Sequence, residues 1–391
     1  MAGISVCMIV KNEEEVLARC LACVTSFADE IIVVDTGSTD KTKEIAAGFT
    51  DKLYDFAWCD DFSKARNYSF SKATQDFIMW LDADDVILQE DQEQLVELKQ
   101  RLQPEVSIVM MKYHTAFDDK GNPTFSYYRE RLMNRRMQHR WSGVIHEVIP
   151  LTGMVQYEDI AITHQKLHIN DPDRNLRIFE KLLAQGKQLD AREQFYYARE
   201  LYYHARYHDA LQVFEAFLDG KQGWVENNID ACEMMGYCHS ALQQKDEELQ
   251  AYLQSFRYDA PRAELCCDIG KYFFDEKRWK EAVFWYETAL HRTRDDKSGA
   301  FVRVDCYGYL PAIQLCVCYW QLHDRQASMH YNDIAGRYKP DSIAVQQNRK
   351  FFGNCILVNS GCILFLITGV LAVWGSHLPV RIEKSRDISY I

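Results

Sequence analysis

The chain has 391 residues, of which 47% are hydrophobic and 13% are aromatic. This composition predicts a well-packed globular protein and excludes an intrinsically disordered one, and the length allows two or three domains. The formal net charge of −12 at pH 7 argues against a nucleic-acid partner, which selects a basic surface, but it leaves room for an anionic ligand at a local site.

The cysteines and the start of the chain are typical of a cytosolic protein. Most of the 13 cysteines lie among apolar residues, so we expect them to be reduced and buried. Cys20 and Cys23 come nearest to a zinc-ligand spacing, but no second pair lies nearby. The first apolar run has no basic residues before it and no cleavage site, so it predicts a strand instead of a signal peptide.

Apolar runs alternate with helical patterns over the first part of the chain. Helices are predicted at 14–27, from residue 41, and at 63–73. The predicted strands, each followed by polar residues, are Ile4–Val10, Glu30–Asp35, 53–56 and 77–81. This alternation is typical of an α/β fold with a doubly wound parallel sheet.

The strand predicted at 77–81 leads directly into three carboxylates, Asp82, Asp84 and Asp85. Three like charges at a strand end repel one another unless a cation lies among them. Their hard oxygen ligands suit Mg²⁺ or Mn²⁺, ions that commonly accompany phosphates. The alternative is an acidic turn whose aspartate caps the next helix.

The carboxyl ends of parallel strands share one edge of a sheet, where ligands of open α/β sheets bind. We therefore expect one crevice lined by the carboxylates of Glu13, Asp35, Asp61, Asp82 and Asp84. The glycine-rich patterns of dinucleotide sites and of P-loops do not occur in the sequence.

Six segments, taken in chain order, resemble the signatures of family 2 glycosyltransferases, which have the GT-A fold. They are Val10–Glu13, Val34–Asp40, Asp61–Asn67, Asp82–Asp85, Trp141–Glu147 and Ile162–His164. Each segment alone is a weak signal, but their shared order makes the resemblance specific. The resemblance implies that residues 1–170 form a GT-A glycosyltransferase domain with a Rossmann-like sheet.

The resemblance also implies a site for a nucleotide-diphosphate sugar. Asn12, Glu13 and Asp35 stand at the positions that hold the base and the ribose. Arg66 stands at a position that contacts the nucleotide or sugar, and Asp82 at one that meets the ribose or the metal. A carboxylate can accept from a uracil N–H or from ribose hydroxyls. The alternatives are a helix-start role for Glu13 and a solvated helix arginine at Arg66.

By the same resemblance, Asp84 and His164 are metal ligands for Mn²⁺ or Mg²⁺, and Glu147 is the general base. A base that removes the acceptor's proton as the acceptor attacks from the far face of the sugar implies inversion. His146 either shapes the same site or is structural. The alternatives are an exposed carboxylate at Glu147 and a structural histidine at His164.

Five arginines cluster before and beside Trp141 in an otherwise acidic chain. They are Arg129, Arg131, Arg135, Arg136 and Arg140. The cluster predicts either a contact with the diphosphate or a phosphate-bearing acceptor, or a solvated loop or β-ribbon.

A helical part follows a linker or helix at 171–191. Within 192–350 the helical pattern recurs with the period of tetratricopeptide repeats, as in Gly236 and Gly270, which are 34 residues apart. The resemblance predicts three to four repeats, the second degenerate because Glu248 replaces an alanine. Such repeats present a concave surface to a peptide or partner subunit. The alternative is that they cap the catalytic domain and hold a homodimer.

Residues 355–376 are mostly apolar, and an apolar helix of about this length spans a bilayer. We predict a transmembrane helix here and a tail at 377–391. The catalytic domain is then expected at the cytoplasmic face of the membrane, where nucleotide sugars occur. The alternative is a buried helix of a cytoplasmic protein that closes the repeats or pairs two chains.

Together these features predict a metal-dependent glycosyltransferase that moves a sugar, with a UDP-sugar as donor, to a peptide, protein or cell-surface glycan. This domain combination resembles bacterial enzymes of both acceptor classes. One alternative is a non-catalytic repeat scaffold with a relic first domain, although a relic would be expected to lose the carboxylates that this sequence keeps. Another is a nucleotidyltransferase, which would need a glycine-rich basic loop after the first strand.

Overall fold

The structure is a computed structural model that describes residues 1–118, 121–165, 167 and 171–358. The chain divides into two compact units. The first comprises residues 1–200 with Gly299–Phe301, and the second comprises residues 201–298 with the described residues from Val302 onward. The domain limits of 1–170 and 192–350 stay predictions.

The first unit is built on an eight-stranded sheet. The strands are β1 (Ile4–Val10), β2 (Glu30–Asp35), β3 (Leu53–Asp55), β4 (Phe77–Trp80), β5 (Asp85–Val86), β6 (Val106–Phe117), β7 (Pro123–Asn134) and β8 (Met154–His164). Their order across the sheet is β3-β2-β1-β4-β7-β6-β8-β5. The helices are α1 (Leu17–Val24), α2 (Thr42–Ala47), α3 (Phe62–Phe70), α4 (Gln89–Arg101), α5 (Arg174–Ala184) and α6 (Ala191–Tyr203), the last of which runs into the second unit.

One half of the sheet has the predicted parallel arrangement. β3, β2, β1 and β4 are parallel neighbours. In register, Val10 pairs with Asp35, and Asp35 pairs with Asp55. The carboxyl ends of β1, β2 and β3 therefore lie level with one another at one edge, where ligands of open sheets bind.

The other half departs from the predicted parallel pattern. β7 is antiparallel to both β4 and β6, β8 is parallel to β6, and the short β5 is antiparallel to β8. β6 and β7 are consecutive antiparallel strands, so they need no crossover helix between them. The sheet is therefore mixed, and the domain is a GT-A-like α/β domain instead of a wholly parallel one.

Successive residues of β4 are buried on opposite faces of the sheet. Phe77 and Met79 join a core that includes residues of α1 and α4, whereas Ile78 and Trp80 join a core that includes Phe70 of α3. Burial on both faces explains the unbroken apolar run before Asp82. The acidic segment thus begins where this doubly covered strand ends.

The second unit consists of helices joined by turns and loops. After the end of α6 they are α7 (Tyr207–Asp219), α8 (Val225–Ala241), α9 (Lys245–Gln254), α10 (Ala263–Asp275), α11 (Trp279–Leu290), α12 (Tyr309–Gln321), α13 (Arg325–Tyr338) and α14 (Ile343–Val358). Gly236 of α8 lies against the ring of Tyr252, and Gly270 of α10 lies against the ring of Tyr286. Because the same contact recurs 34 residues later, the helices form tetratricopeptide-like repeats, as predicted.

The predicted transmembrane segment, 355–376, lies outside the described residues except for 355–358 at the end of α14. Among the helices that the structure describes, none combines the length and the apolar character that crossing a bilayer requires.

Candidate functional site

A cavity of about 570 Å³ opens at the carboxyl ends of β1 and β4 in the first unit. Six of the eight predicted site residues line it: Asn12, Glu13, Arg66, Asp82, Asp84 and His164. A smaller cavity of about 30 Å³ shares Phe62, Arg66, Asp82 and Arg174 with the first and is lined by Glu147. The structure thus brings seven of the eight residues to two adjoining cavities.

Asn12 joins the loop after β1 to the loop after β2. Its backbone has φ 55°, a left-handed conformation that asparagine tolerates better than most residues. The Asn12 N–H donates to Ser38 Oγ at 2.9 Å, and Asn12 Oδ1 accepts from the Thr39 N–H at 2.8 Å. The Glu13 N–H donates to Thr42 Oγ1 at 2.7 Å, which anchors the next residue of the cavity wall.

Asp35 lies outside the lining of both cavities. It is 2% exposed, and its carboxylate accepts from the N–H groups of Gly37 and Ser38, each at 3.0 Å. Gly37 has φ 107°, which favours glycine in this turn. In this structure Asp35 therefore holds its own turn, and its contact with a nucleotide stays a prediction.

Asp61 was also expected in the crevice, but it lines neither cavity. Asp61 is the N-cap of α3, and its Oδ1 accepts from the Lys64 N–H at 3.0 Å and from Ser63 Oγ at 2.8 Å. The expectation was wrong for Asp61 because a capping aspartate turns back onto its own helix.

Arg66 lies at the centre of the site. Its guanidinium is 4.8 Å from the ring centroid of Trp80 and 5.1 Å from that of Trp141. It donates to Asp82 Oδ1 at 2.8 Å and to Glu147 Oε1 at 2.5 Å. Burial by itself lowers the pKa of Arg66, but the charges of Asp82 and Glu147 raise it above its ordinary value, so the cation is retained.

The segment that carries Glu147 is a tight loop closed by backbone hydrogen bonds between Ser142 and Val148. Asn67 of α3 fixes the residue before this loop with two hydrogen bonds. Its side chain donates to the Trp141 carbonyl and accepts from the Trp141 N–H, each at 2.9 Å. Helix α3 therefore positions both Arg66 and the loop that presents Glu147.

His146 has contacts that favour a structural role, although it also lines the smaller cavity. Its ring stacks on Tyr196 with centroids 4.1 Å apart, and its Nε2 lies 3.3 Å from Glu200 Oε1. Burial lowers the pKa of His146 despite the opposing effect of Glu200. A neutral, stacked histidine of this kind supports the loop beside Glu147.

The three carboxylates after β4 have three different environments. The Asp82 side chain pairs with Arg66 and is 23% exposed, and the Asp84 side chain is 18% exposed, with Oδ1 3.4 Å from His164 Nδ1. Asp85 is fully buried. Burial opposes ionisation of Asp85, but Arg131 and His164 lower its pKa. Asp82 and Asp84 are therefore the two that face the cavity.

A divalent cation fits the corner formed by Asp84 and His164. Within the described part of the chain, ligand atoms of Asp84, Asp85 and His164 lie within 4.8 Å of one another. His164 is 7% exposed and its Nε2 has no hydrogen-bond partner among the described residues. Burial by itself lowers the pKa of His164, but the carboxylates of Asp85 and Asp84 raise it above its ordinary value. Carboxylate oxygens together with an imidazole nitrogen are a suitable donor set for a divalent metal.

The five-arginine cluster is split by the structure. Arg129 and Arg131 belong to β7, and Arg131 is fully buried. Arg131 Nη1 lies 3.2 Å from Asp85 Oδ2, and its guanidinium stacks 3.7 Å from the Trp80 ring centroid. The predicted phosphate contact was wrong for Arg131, whose charge pairs with Asp85 inside the protein. Arg129 lines the smaller cavity, so its contact with a ligand stays a prediction. Arg135 and Arg136, beyond the strand, are exposed.

Trp58, Phe62 and Arg174 are among the lining residues to which the sequence assigned no role. The Arg174 guanidinium lies 4.7 Å from the Phe62 ring centroid. Phe62 lies within the Asp61–Asn67 signature, and its ring has an edge-to-face contact at 4.8 Å with Trp58, which precedes that signature. For these two aromatic residues, the signature was therefore the signal available in the sequence.

Residues 5–160 match the family described as Glycosyl transferase family 2. A TPR repeat-containing protein of Synechococcus elongatus is 40% identical over 151 residues, which are 38% of this chain and 36% of that protein. The SPbeta prophage-derived glycosyltransferase SunS of Bacillus subtilis is 24% identical over 281 residues, which are 67% of this chain and 64% of that protein. The aligned part thus spans less than two thirds of the length of these relatives.

Two of the similar solved structures each cover nearly half of the chain. Glucosyl-3-phosphoglycerate synthase from Mycobacterium tuberculosis, in complex with Mg²⁺ and uridine diphosphate, is 14% identical with a TM-score of 0.34 and covers 49% of this chain and 82% of its own. YrrB, a TPR protein, is 17% identical with a TM-score of 0.35 and covers 46% of this chain and 84% of its own. The match at residues 5–160 is to the family that the sequence resemblance predicted for this part of the chain.

Proposed function

Because residues 5–160 are a family 2 glycosyltransferase domain, we propose that this protein transfers a sugar from a UDP-sugar to a peptide, protein or glycan acceptor, with inversion and with a bound Mn²⁺ or Mg²⁺. One observation supports the proposal most. The two adjoining cavities bring Asp82, Asp84 and His164 next to Arg66 and Glu147.

The donor occupies the larger cavity in this proposal. The Asn12–Glu13 turn lies at one part of its wall, and the Asp82 and Asp84 carboxylates lie at another. A nucleoside offers N–H and hydroxyl donors, which carboxylates accept. The sugar then lies near Asp82 and Arg66, two of the four cavity residues that also line the smaller cavity.

Asp84 and His164 would hold the divalent ion. When bound, such an ion acts as a Lewis acid that stabilises negative charge on the departing diphosphate. Asp85 supports this corner from behind through its contacts with Arg131 and Tyr113. Of the two neighbouring carboxylates, Asp84 lines the larger cavity and Asp85 does not.

Glu147 is the proposed general base. Its side chain is 10% exposed and is held by Arg66 at the edge of the smaller cavity. An acceptor hydroxyl that enters there loses its proton to the Glu147 carboxylate while its oxygen forms the new bond to the sugar carbon. The diphosphate leaves from the opposite face, and this in-line geometry inverts the configuration.

The acceptor and the cellular site belong to the proposal. The helical repeats offer a surface for a peptide or a second copy of the chain, as helix stacks of this kind do. The apolar segment 355–376 supports a proposed position at the membrane, with the catalytic domain on the cytoplasmic side. A membrane position would favour a lipid-linked glycan, whereas the repeats would favour a peptide.

The decisive experiment is hydrolysis of UDP-sugars in the presence of Mn²⁺, with Asp84→Asn compared to wild type. We expect Asp84→Asn to lower metal-dependent turnover by about 100-fold or more, because a cavity-facing metal ligand is lost. The matched control is Asp55→Asn, which removes a carboxylate at the end of β3 whose side chain is 75% exposed. The control should keep wild-type turnover. The proposal fails if wild type neither binds nor hydrolyses any UDP-sugar with Mn²⁺.

A further inference from the structure

We propose that Tyr113 is a positioning residue that keeps the proton of the His164 ring on Nδ1, so that Nε2 presents its lone pair to the divalent ion. The inference rests on the proposed function, because it concerns the ligand set of that site. It extends the site to a side chain of β6 that lines neither cavity.

The hydrogen bonds of Tyr113 have one consistent direction. The Tyr113 hydroxyl lies 2.9 Å from Asp85 Oδ1 and 2.9 Å from His164 Nδ1. A hydroxyl has one proton to donate, and an ionised carboxylate can only accept. The buried Arg131 guanidinium lies 3.2 Å from the other Asp85 oxygen, which favours the ionised carboxylate. Tyr113 therefore donates to Asp85 and accepts from a proton on His164 Nδ1. The same nitrogen lies 3.4 Å from Asp84 Oδ1 and 3.6 Å from Asp85 Oδ1, so its 2.9 Å contact with the Tyr113 hydroxyl is the shortest of the three.

The backbone holds these three residues in place. Asp85 pairs with His164 in the β5–β8 ladder, and Tyr113 pairs with Ile162 in the β6–β8 ladder. The Tyr113 ring is 2% exposed and lies 4.3 Å from the Arg131 guanidinium. A side chain packed this tightly keeps a single rotamer, so the hydroxyl has a fixed position.

The fixed position determines which nitrogen of His164 is available. A neutral imidazole that carries its proton on Nδ1 has its lone pair on Nε2. That nitrogen is buried in a wall residue of the larger cavity, and the described residues offer it no hydrogen-bond partner. A metal-ligating histidine commonly has its other nitrogen held by a second group, which raises metal affinity.

The test is the affinity of Mn²⁺ for the full chain saturated with UDP, measured by titration calorimetry for wild type and Tyr113→Phe. We expect the Mn²⁺ dissociation constant to rise about 10-fold in Tyr113→Phe, the usual scale for losing such a support. In UDP-sugar hydrolysis, the Mn²⁺ concentration for half-maximal rate should rise likewise, while kcat at saturating Mn²⁺ changes less.

Tyr127→Phe is the matched control. Tyr127 is a neighbouring buried tyrosine, with its ring centroid 5.7 Å from that of Tyr113, and its hydroxyl has no hydrogen-bond partner among the described residues. Removing that hydroxyl should leave Mn²⁺ affinity at the wild-type value. Equal affinities for wild type and Tyr113→Phe would overturn the inference while leaving the proposed function intact. If the wild type binds no Mn²⁺ with UDP, both fail.

A second measurement is made on the His164 ring of the wild-type protein, so it does not depend on whether Tyr113→Phe folds. Histidine ¹⁵N resonances of the chain loaded with UDP and Mg²⁺ report which ring nitrogen carries the proton, and His164→Ala identifies the signal. We expect the proton on Nδ1. A proton on Nε2 instead would overturn the inference.

Discussion

Arg66 gives one buried cation to two carboxylates with different proposed tasks, Asp82 beside the donor and Glu147 beside the acceptor. The Arg66 side chain is 8% exposed, so solvent screens these interactions little. Breaking a buried pair leaves an uncompensated charge, which costs more than the intact pair contributes. The Arg66 guanidinium therefore fixes the separation between Asp82 and Glu147 and also balances their negative charge.

We expect Arg66→Met to lower the free energy of unfolding at pH 7 by about 3 kcal/mol, because it leaves the partly buried carboxylates of Asp82 and Glu147 near each other without a cation. Urea denaturation measures this change. Adding Glu147→Gln to Arg66→Met should recover part of the loss, since one of the two stranded charges is removed.

The matched control for Arg66 is Arg101→Met. Arg101 also pairs with a glutamate, Glu158, but its side chain is 53% exposed. An exposed pair contributes at most about 1 kcal/mol, so the control should lose little stability. Equal losses in the two arginine variants would contradict the assigned role of burial.

The residues of the site differ in how well the sequence alone could assign them. Asp82 and Asp84 were expected at this edge because they follow an apolar strand, whereas His164 was assigned only through the family resemblance. Asp61 was misplaced because a strand-end pattern does not say whether a carboxylate faces a ligand or caps the next helix. The hydrogen bonds of Tyr113 join residues distant in sequence, so no local pattern reveals them.

The strands and helices were predicted to different degrees for a physical reason. β1, β2 and β4 are covered on both faces, so their sequences are continuous apolar runs that are easily recognised. β7 carries Arg129, Glu130 and Arg131 within a central strand, and pairing these charges inside the protein hides the strand from a hydrophobicity pattern. The sheet is mixed and not wholly parallel because β7 pairs antiparallel with both β4 and β6.

Gly236 and Gly270 of the repeats lie in very close contact with the rings of Tyr252 and Tyr286. A Cβ added at Gly236 would lie 2.1 Å from the Tyr252 ring, and one at Gly270 would lie 2.9 Å from the Tyr286 ring. Separations below 3.0 Å require a ring or a helix to move. The intimate packing of α8 on α9 and of α10 on α11 therefore depends on the missing side chain.

We expect Gly236→Ala to destabilise the protein by about 1–3 kcal/mol, because overpacking outweighs the better helix propensity of alanine. Gly270→Ala should cost less, since its contact is less severe. Gly353→Ala in α14 is the control: among the described residues, no atom beyond its chain neighbours and the nearby backbone of its own helix lies within 4 Å of the added Cβ, so it should stabilise by up to about 1 kcal/mol. Thermal unfolding monitored by circular dichroism ranks the three variants, and a stabilised Gly236→Ala would contradict the packing argument.

The predicted membrane anchor at 355–376 can be tested by sedimentation of the whole protein. We expect the full chain to sediment with membranes and a chain ending at Val358 to remain in the supernatant, because 355–376 then lacks most of its apolar length. Both forms should keep equal UDP-sugar turnover, since the site lies within residues 1–200. Equal distribution of both forms between pellet and supernatant would rule out the tail as an anchor.

The spacing of the two glycine–tyrosine contacts has a consequence for how this chain can change in length. Gly236 precedes Tyr252 by the same number of residues as Gly270 precedes Tyr286. Loss of residues 237–270 would therefore leave Gly236 at the correct separation from Tyr286, and duplication of the same stretch would add one more such pair. Because each repeat contacts only its neighbours, a recombination event of this size joins one helix hairpin to another with the packing preserved. The repeats can thus lengthen or shorten in steps during evolution while the sheet and its two cavities stay the same.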